Sequence, residues 1–562
     1  MGSGFVFLPE IILVTAALTS TLLGFAVGRR TQFLWGFALT SLVLAMVLTF
    51  DMMGLGLTRL LGLNLYEIPV SGTASGDFSD AWRLRIDTFT LYFHIVFMFV
   101  ALLAVIASRS FIRSDEPHQG EYYGLLFLAV VGMMLTAAAT DLFVLYLAFE
   151  ISSISTFALV AFRKRDRQAT EAALKFFIFG SIASAIILFG ISIVYGVAGS
   201  TEIAAPGQAL TDLELLKNGL TLSDPRVLAM EAPLLVAIVF LVAGFGFKVA
   251  IVPFHMWAPD VYQGAPTTIS AFLAAGSKKV GIVALFKVFL VALLSIQVDW
   301  LVAIAILAIV TQTVGNLFAI PQRNIKRMLA YSSIAQVGYI MIAVAVGAVA
   351  IEASGPRGPD AEVVAIAGVQ GGLYHVLTHA IMKGGAFLVV AATAMVGIGE
   401  EIGQYKGLSR RMPFVALAMA VFLLSLAGIP PFGGFFSKFI LFSSAVSAMT
   451  FNPWYLALAV SGVLNSALSL YYYARVIWYM WVLEPEPAEK VLLKESTAAA
   501  TGVGLPFFKK IFRPKEPGEK IPLSRSMTTA IGIAFVLIWV TGLAAFPFIS
   551  YLEAAARAFF GF

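Results

Sequence analysis

Residues 244–266 read GFGFKVAIVPFHMWAPDVYQGAP. Lys248 stands at the end of an apolar run that begins near residue 232, with Gly244 and Gly246 upstream and Pro253 downstream. Proline removes a backbone donor and breaks a helix. At membrane depth, carbonyls freed in this way are tolerated only where protein or water satisfies them. A second stretch, residues 426–439, LAGIPPFGGFFSKF, repeats the plan: Pro430, Pro431, Gly433 and Gly434 precede Lys438. Two interrupted helices in corresponding halves of a chain are the pattern of an inverted-repeat transporter with its path near the midplane. A simple kink would explain either break, but not a lysine beside both.

The rest of the chain supports a bilayer setting. Of 562 residues, 60% are hydrophobic and 12% charged, and the mean hydropathy is +0.91. A soluble protein of this length cannot hide so much apolar surface, so the composition predicts a polytopic membrane protein. There is no cysteine, which excludes Cys-ligated iron–sulfur clusters, disulfides and thiol chemistry within the chain. The net charge of +5 is read through its placement in loops, not as a nucleic-acid signal. Residues 1–4 carry no Lys or Arg, and the run Phe5–Val27 is too long for a signal-peptide core. It reads as the first span, with Glu10 near its outer end.

Apolar runs of membrane length fall near 5–27, 32–50, 88–108, 121–140, 142–162, 172–197 and 232–258. Others fall at 267–295, 300–319, 328–350, 364–398, 413–447, 452–482 and 527–552, which makes about fourteen helices. The runs at 364–398 and 413–447 are too long for one straight helix. Long polar connections occupy 51–87, 199–231 and 483–526. With the N-terminus outside, the inner loops hold Arg29, Arg30, Arg109, Arg113, Arg163–Arg167, Arg323, Lys326, Arg327, Lys406, Arg410, Arg411 and the basic residues of 490–525. The positive-inside rule then places both termini outside.

A charge at the centre of a membrane helix costs about 2.5–3.5 kcal/mol on insertion scales, so each one needs a reason. The spans contain Glu150, Lys175, Lys248, Lys278, Lys279, Lys287 and Lys438. Lys175 and Lys287 are close enough to span ends to snorkel. Residues 373–390, LYHVLTHAIMKGGAFLVV, add His375, His379 and Lys383 at four-residue spacing, which puts all three on one helix face. Two histidines on one face cannot supply opposite axial ligands to a haem, and Lys383 would oppose a bound cation. A relay segment for protons is the better reading, since imidazole titrates near physiological pH.

The stretch KVAIVPFHMWAPDVYQGAP resembles the seventh-helix signature of the antiporter-like membrane subunits of respiratory complex I. The resemblance extends over nearly the whole chain, through FEISSISTFALVAF around Glu150, EAALKFFIFGSIASAIILFGISIVYGVAGS, RNIKRMLAYSSIAQVGY and SLAGIPPFGGFFSKF. The second of these looks most like the N-type (subunit 2-like) member. The His375, His379, Lys383 stripe departs from the commoner bacterial N-type pattern toward the L- and M-type subunits and the Mrp antiporters.

That family implies an all-α polytopic membrane fold of about fourteen transmembrane helices, with two inverted five-helix repeats and two broken helices. Helices 1–3 would occupy 1–120, the repeats 121–295 and 300–482, a cytoplasmic linker 483–526, and the last helix 527–562. It implies a Glu150–Lys248 pair, a central lysine matching Lys278 better than Lys279 by spacing, and Lys438 as the exit-side group. A carboxylate beside a buried lysine strengthens its hold on its proton, so moving Glu150 away would make Lys248 a better donor. Lys278, His379, His375 and Lys383 would continue the path to Lys438. The expected role is a proton-translocating subunit of an NADH:quinone oxidoreductase-type translocase, or alternatively a subunit of an Mrp-type cation/proton antiporter. No cofactor or metal is expected in this chain, and no nucleic acid. Flavin and iron–sulfur clusters are expected in partner subunits of a peripheral redox arm, with other antiporter-like and small membrane subunits alongside. The expected location is the inner (plasma) membrane of a prokaryotic cell.

Overall fold

A computed structural model describes residues 6–27, 31–55, 83–112, 118–204, 225–350, 358–484 and 521–561. The connections predicted at 51–87, 199–231 and 483–526 lie largely outside these residues, as do Arg29, Arg30 and Arg113. Among the described residues the structure is helical, with isolated bridges in place of strands.

Among the described residues, thirteen helices are long and apolar enough to cross a membrane. They include α1 (Leu8–Val27), α2 (Thr31–Phe50), α3 (Thr88–Phe111), α4 (Gln119–Ala138), α5 (Leu142–Val160) and α6 (Arg167–Ala198). Next come α7 (Pro225–Val249), the short α8 (Trp257–Gly264) and α9, whose irregular span is Thr267–Ala292. Then follow α10 (Gln297–Ala319), α11 (Ile325–Gly347) and α12 (Gly358–Met395). α13 (Pro413–Ala427) and α14 (Gly433–Ala448) are shorter apolar helices, each below membrane length, and follow one another across the break. The chain closes with α15 (Tyr455–Trp481), α16 (Arg525–Leu543) and α17 (Ala545–Phe560).

Both predicted breaks are present. α7 ends beside Lys248, Ala250 turns left-handed at φ 63, and α8 restarts after Pro253. Gly428 ends α13 at φ 87, and Pro430 and Pro431 separate it from α14. The freed carbonyls find donors inside the protein: Trp257 Nε1 bonds Phe247 O at 2.7 Å, and Lys438 Nζ bonds Leu426 O at 2.8 Å and Ala427 O at 3.3 Å. A third irregularity carries no proline signal. α9 contains π-helical turns at Leu273–Ser277 and Val288–Ala292, flanking the stretch from Lys278 to Lys287.

The run at 364–398, expected to be too long for one straight helix, belongs to a single 38-residue helix, α12. It has no proline after Pro359, and its glycines admit neighbours instead of breaking it. A Cβ on Gly371 would sit 2.9 Å from the Leu441 backbone of α14. α12 is consequently the hub, packed by α3, α9, α11, α13, α14, α16 and α17. The apolar outer faces of α6, α10 and α15 are exposed, with Phe177, Phe189, Ile306 and Leu464 among their projecting side chains.

One local pattern occurs twice. Asp141 caps α5 by accepting from Phe143 N and Val144 N, while Leu142 N bonds Thr201 O and Ile203 N bonds Thr140 O. Asn324 caps α11 through Lys326 N and Arg327 N, while Ile325 N bonds Glu400 O and Ile402 N bonds Arg323 O. Each capped helix packs through glycine on the one before it. A Cβ on Gly132 would lie 2.5 Å from Ser152 N, and one on Gly315 would lie 2.6 Å from Ala335 N.

Candidate functional site

Several of the buried charged side chains lie along a polar axis that runs from the first break, across α9 and α12, to the second. Lys248 is 2% exposed. Its Nζ donates to Ser153 Oγ at 2.8 Å and lies 5.2 Å from the Phe149 ring centre. Glu150 sits one turn earlier on α5, half-buried, with the Ser184 hydroxyl beside it and its charge acting on Lys248. No direct Glu150–Lys248 bridge is formed among the described ion pairs: Ser153, three residues on and hence on the same helix face, takes the ammonium instead.

His255 lies in the first break, buried, with neither ring nitrogen hydrogen-bonded. Its electrostatic neighbour is Lys278. Lys278 is also buried and without a hydrogen-bond partner, and its ammonium lies 5.2 Å from the Tyr262 ring centre, a cation–π distance.

Contact with the histidine stripe is made by the adjacent lysine. Lys279 Nζ donates to Ala274 O at 2.7 Å and lies 2.7 Å from His379 Nδ1. Ala274 belongs to the π turn, where the altered ladder leaves carbonyls for other donors. The His379 and His375 rings stack at 6.3 Å between centres. His375 Nε2 is 2.8 Å from Gln336 Oε1 and its Nδ1 is 3.0 Å from Ser437 Oγ. Gln336 Nε2 bonds Leu426 O at 3.3 Å, the carbonyl that Lys438 also holds. Lys438 donates further to Ser466 Oγ at 2.8 Å and lies 4.7 Å from the Tyr339 ring centre. A string of side-chain contacts thus joins Lys279 to the second break.

Lys383 shares the stripe but not the string. Its ammonium turns to Ser332 Oγ at 2.6 Å, and Ser332 bonds the Tyr473 hydroxyl. His375, not Lys383, makes the contacts that reach the second break, through Ser437 and Gln336. Lys287 does not snorkel: it is buried and donates to Ala137 O and Ala139 O. Lys175 does reach the surface, where it pairs with Glu171 at 3.0 Å and Asp260 at 3.1 Å beside a cavity of about 170 Å³. Arg327 holds the other oxygen of Asp260 at 2.7 Å.

Sequence reasoning passed over the neutral members, namely Ser153, Gln336, Ser332 and Ser437, and also His255. Ser332 and Gln336 carried a legible signal, a four-residue spacing inside the apolar segment RMLAYSSIAQVGY, the same periodicity as the stripe.

Comparison with known proteins identifies the family. The family model described as "NADH:quinone oxidoreductase/Mrp antiporter, TM" matches residues 139–355 and 361–468. The chain belongs to this family. It is 42% identical over 503 residues to F(420)H(2) dehydrogenase subunit N of Methanosarcina mazei, covering 88% of this chain and 92% of that one. It is 39% identical over 428 residues to NADH-quinone oxidoreductase subunit N of Trichlorobacter lovleyi, covering 76% and 80%. A chain of respiratory complex I from Thermus thermophilus superposes over 97% of this chain and 99% of its own, with 26% identity and a TM-score of 0.69. Among family members, then, this chain stands with subunits called N, and its all-helical multi-pass fold is that of a membrane subunit in a multisubunit complex.

Proposed function

We propose that this chain is a proton-translocating membrane-arm subunit of a redox-driven complex of the NADH:quinone oxidoreductase type. The observation that carries the reading is the polar axis. Lys248, Lys278, Lys279, His379, His375 and Lys438 are all buried; Lys279 meets His379, whose ring stacks on that of His375, and His375 meets Gln336, which shares the Leu426 carbonyl with Lys438. So many ionisable groups at membrane depth need a function to offset their cost.

Glu150 acts on Lys248 through its charge. With the carboxylate near, the ammonium is favoured; with it withdrawn, Lys248 gives its proton toward Lys278 and His255. Water bridges the gaps that side chains leave. Lys279 then passes the proton to His379, His375 and finally Lys438, while Lys383 biases the stripe from its place on Ser332. Residues 121–295 and 300–482 act as the two inverted repeats, a division supported by the doubled pattern at Asp141 and Asn324. Because those residues open the fifth and tenth crossings, the two copies run oppositely across the membrane. Residues 1–120 and 527–562 flank them, and the basic 483–526 segment lies inside, with both termini outside a prokaryotic plasma membrane. Flavin and iron–sulfur clusters reside in partner subunits of the peripheral arm.

The test is proton translocation in membrane vesicles that contain the assembled complex. Glu150→Gln and Lys248→Ala should each abolish most pumping without loss of assembly, and Glu150→Asp should be milder because its charge survives. Normal pumping by either of the first two sinks the gating role. Proton-coupled sodium transport by a complex devoid of redox subunits would move the assignment to an Mrp-type antiporter.

A further inference from the structure

The ends of α1, α3, α4 and α9 hold a second group of buried titratable side chains, which the axis does not use. Glu10, in the first turn of α1, is 4% exposed, and neither carboxylate oxygen has a hydrogen-bond partner. The charged-capable group beside it is His94 on α3, whose Nδ1 is 3.4 Å from Glu10 Oε1 and whose Nε2 is 3.2 Å from Met134 O. Lys287 of α9 reaches the same end of α4, donating to Ala137 O and, at 2.6 Å, to Ala139 O.

Packing accounts for only part of this. The last carbonyls of a helix lack partners, and a lysine can cap them, which is reason enough for Lys287. It does not explain Glu10. A carboxyl group taken out of water without a donor is costly, and an apolar residue would fill the same space. A polar string also leads outward from the cluster. Thr90 Oγ1 bonds Ala137 O at 3.2 Å and Asp87 Oδ1 at 2.8 Å, and Asp87 pairs with the half-exposed Arg85 at 3.3 Å.

We propose that Glu10, His94 and Lys287 form a proton-exchange site at the face of the protein opposite the Arg163–Arg167 loop, linked to solvent through Thr90, Asp87 and Arg85. It rests on the reading of this chain as a proton translocator. The proton moves between Glu10 Oε1 and His94 Nδ1, converting acid plus neutral imidazole into carboxylate plus imidazolium without net charge. When it leaves for the aqueous face, the pair carries one negative charge, which the Lys287 ammonium balances. The site thereby exchanges one proton at a time with the outer solution.

Glu10→Gln and His94→Gln, each in the assembled complex in membrane vesicles, test this by the number of protons moved per electron transferred, with Lys248→Ala measured in parallel. The expected result is at least a twofold fall in that ratio for both variants and a near wild-type ratio for Glu10→Asp. A wild-type ratio in Glu10→Gln and His94→Gln alongside a lowered one in Lys248→Ala overturns the site and leaves the axis standing. Less complex with an unchanged ratio per complex also overturns it, since that is the behaviour of a packing contact. A wild-type ratio in Lys248→Ala refutes the axis instead, and a fall in Glu10→Gln would then support the outer site independently.

Discussion

Lys278 and Lys279 are neighbours in sequence and a turn of about 100° apart in a helix, so one residue of register decides which meets the stripe. Lys279 makes the contact with His379, whereas Lys278 is held against an aromatic ring with no hydrogen bond. Lys279→Ala should therefore cut the link between α9 and α12 and lower pumping by an order of magnitude or so, the scale of losing one interaction of about 1.4 kcal/mol. Lys383 and Lys438 provide a second comparison at this scale. Because Lys383 turns to Ser332, Lys383→Ala should impair pumping less than Lys438→Ala. The double variant should do little worse than Lys438→Ala, since one blocked link stops a series. Additive losses, read in the same vesicle assay, would mean that the two lysines act on separate paths.

At the scale of elements, the breaks and the π turns position the charges. At the second break Lys438 supplies the donor for the exposed carbonyls, so the fold defect and the functional group satisfy each other, whereas at the first Trp257 does so and leaves Lys248 to Ser153. Gly428 is where this can be probed. Its φ of 87 is a conformation that an L-residue adopts at a cost of roughly 1–2 kcal/mol, and an added Cβ would lie 3.0 Å from Lys438 Cδ. Gly428→Ala should lower both the thermal midpoint of the complex and its pumping rate. Gly532→Ala, in α16 with nothing within 4 Å of the new Cβ, should leave pumping unchanged and slightly favour the helix. Equal behaviour of the two variants would deny the break any part in holding Lys438. The proline and glycine clusters made both breaks legible in sequence. The π turn before Lys279 was not legible, because LAAGS contains no proline and its single glycine is tolerated within an α-helix.

At the scale of the molecule, sidedness and assembly are the testable properties. Single cysteines are clean probes in a chain that has none. Placed at Lys509 or Arg513, within a segment dense in Lys and Arg, they should resist an impermeant thiol reagent in intact cells and react once the membrane is opened. Labelling from outside would invert the topology. Exposed apolar faces on α6, α10 and α15 suit lipid or neighbouring membrane subunits, and the purified single chain should oxidise no electron donor.

The sequence by itself determined the membrane class, the succession of apolar spans, the two breaks and the identity of most ionisable residues inside them. These depend on composition, run length and local breakers, all of which act over one or two turns of chain. Only the tertiary structure decided the connections. Whether Lys248 meets Glu150 or Ser153, whether Lys278 or Lys279 faces His379, and whether Lys383 or His375 reaches the second break depend on the rotation of one helix against another. So does the meeting of Glu10, His94 and Lys287, which are separated by 84 residues and then by 193. Rotation is set by how glycines and bulky side chains interlock across helix faces, and in a chain apolar on nearly every face no periodicity marks which side turns inward.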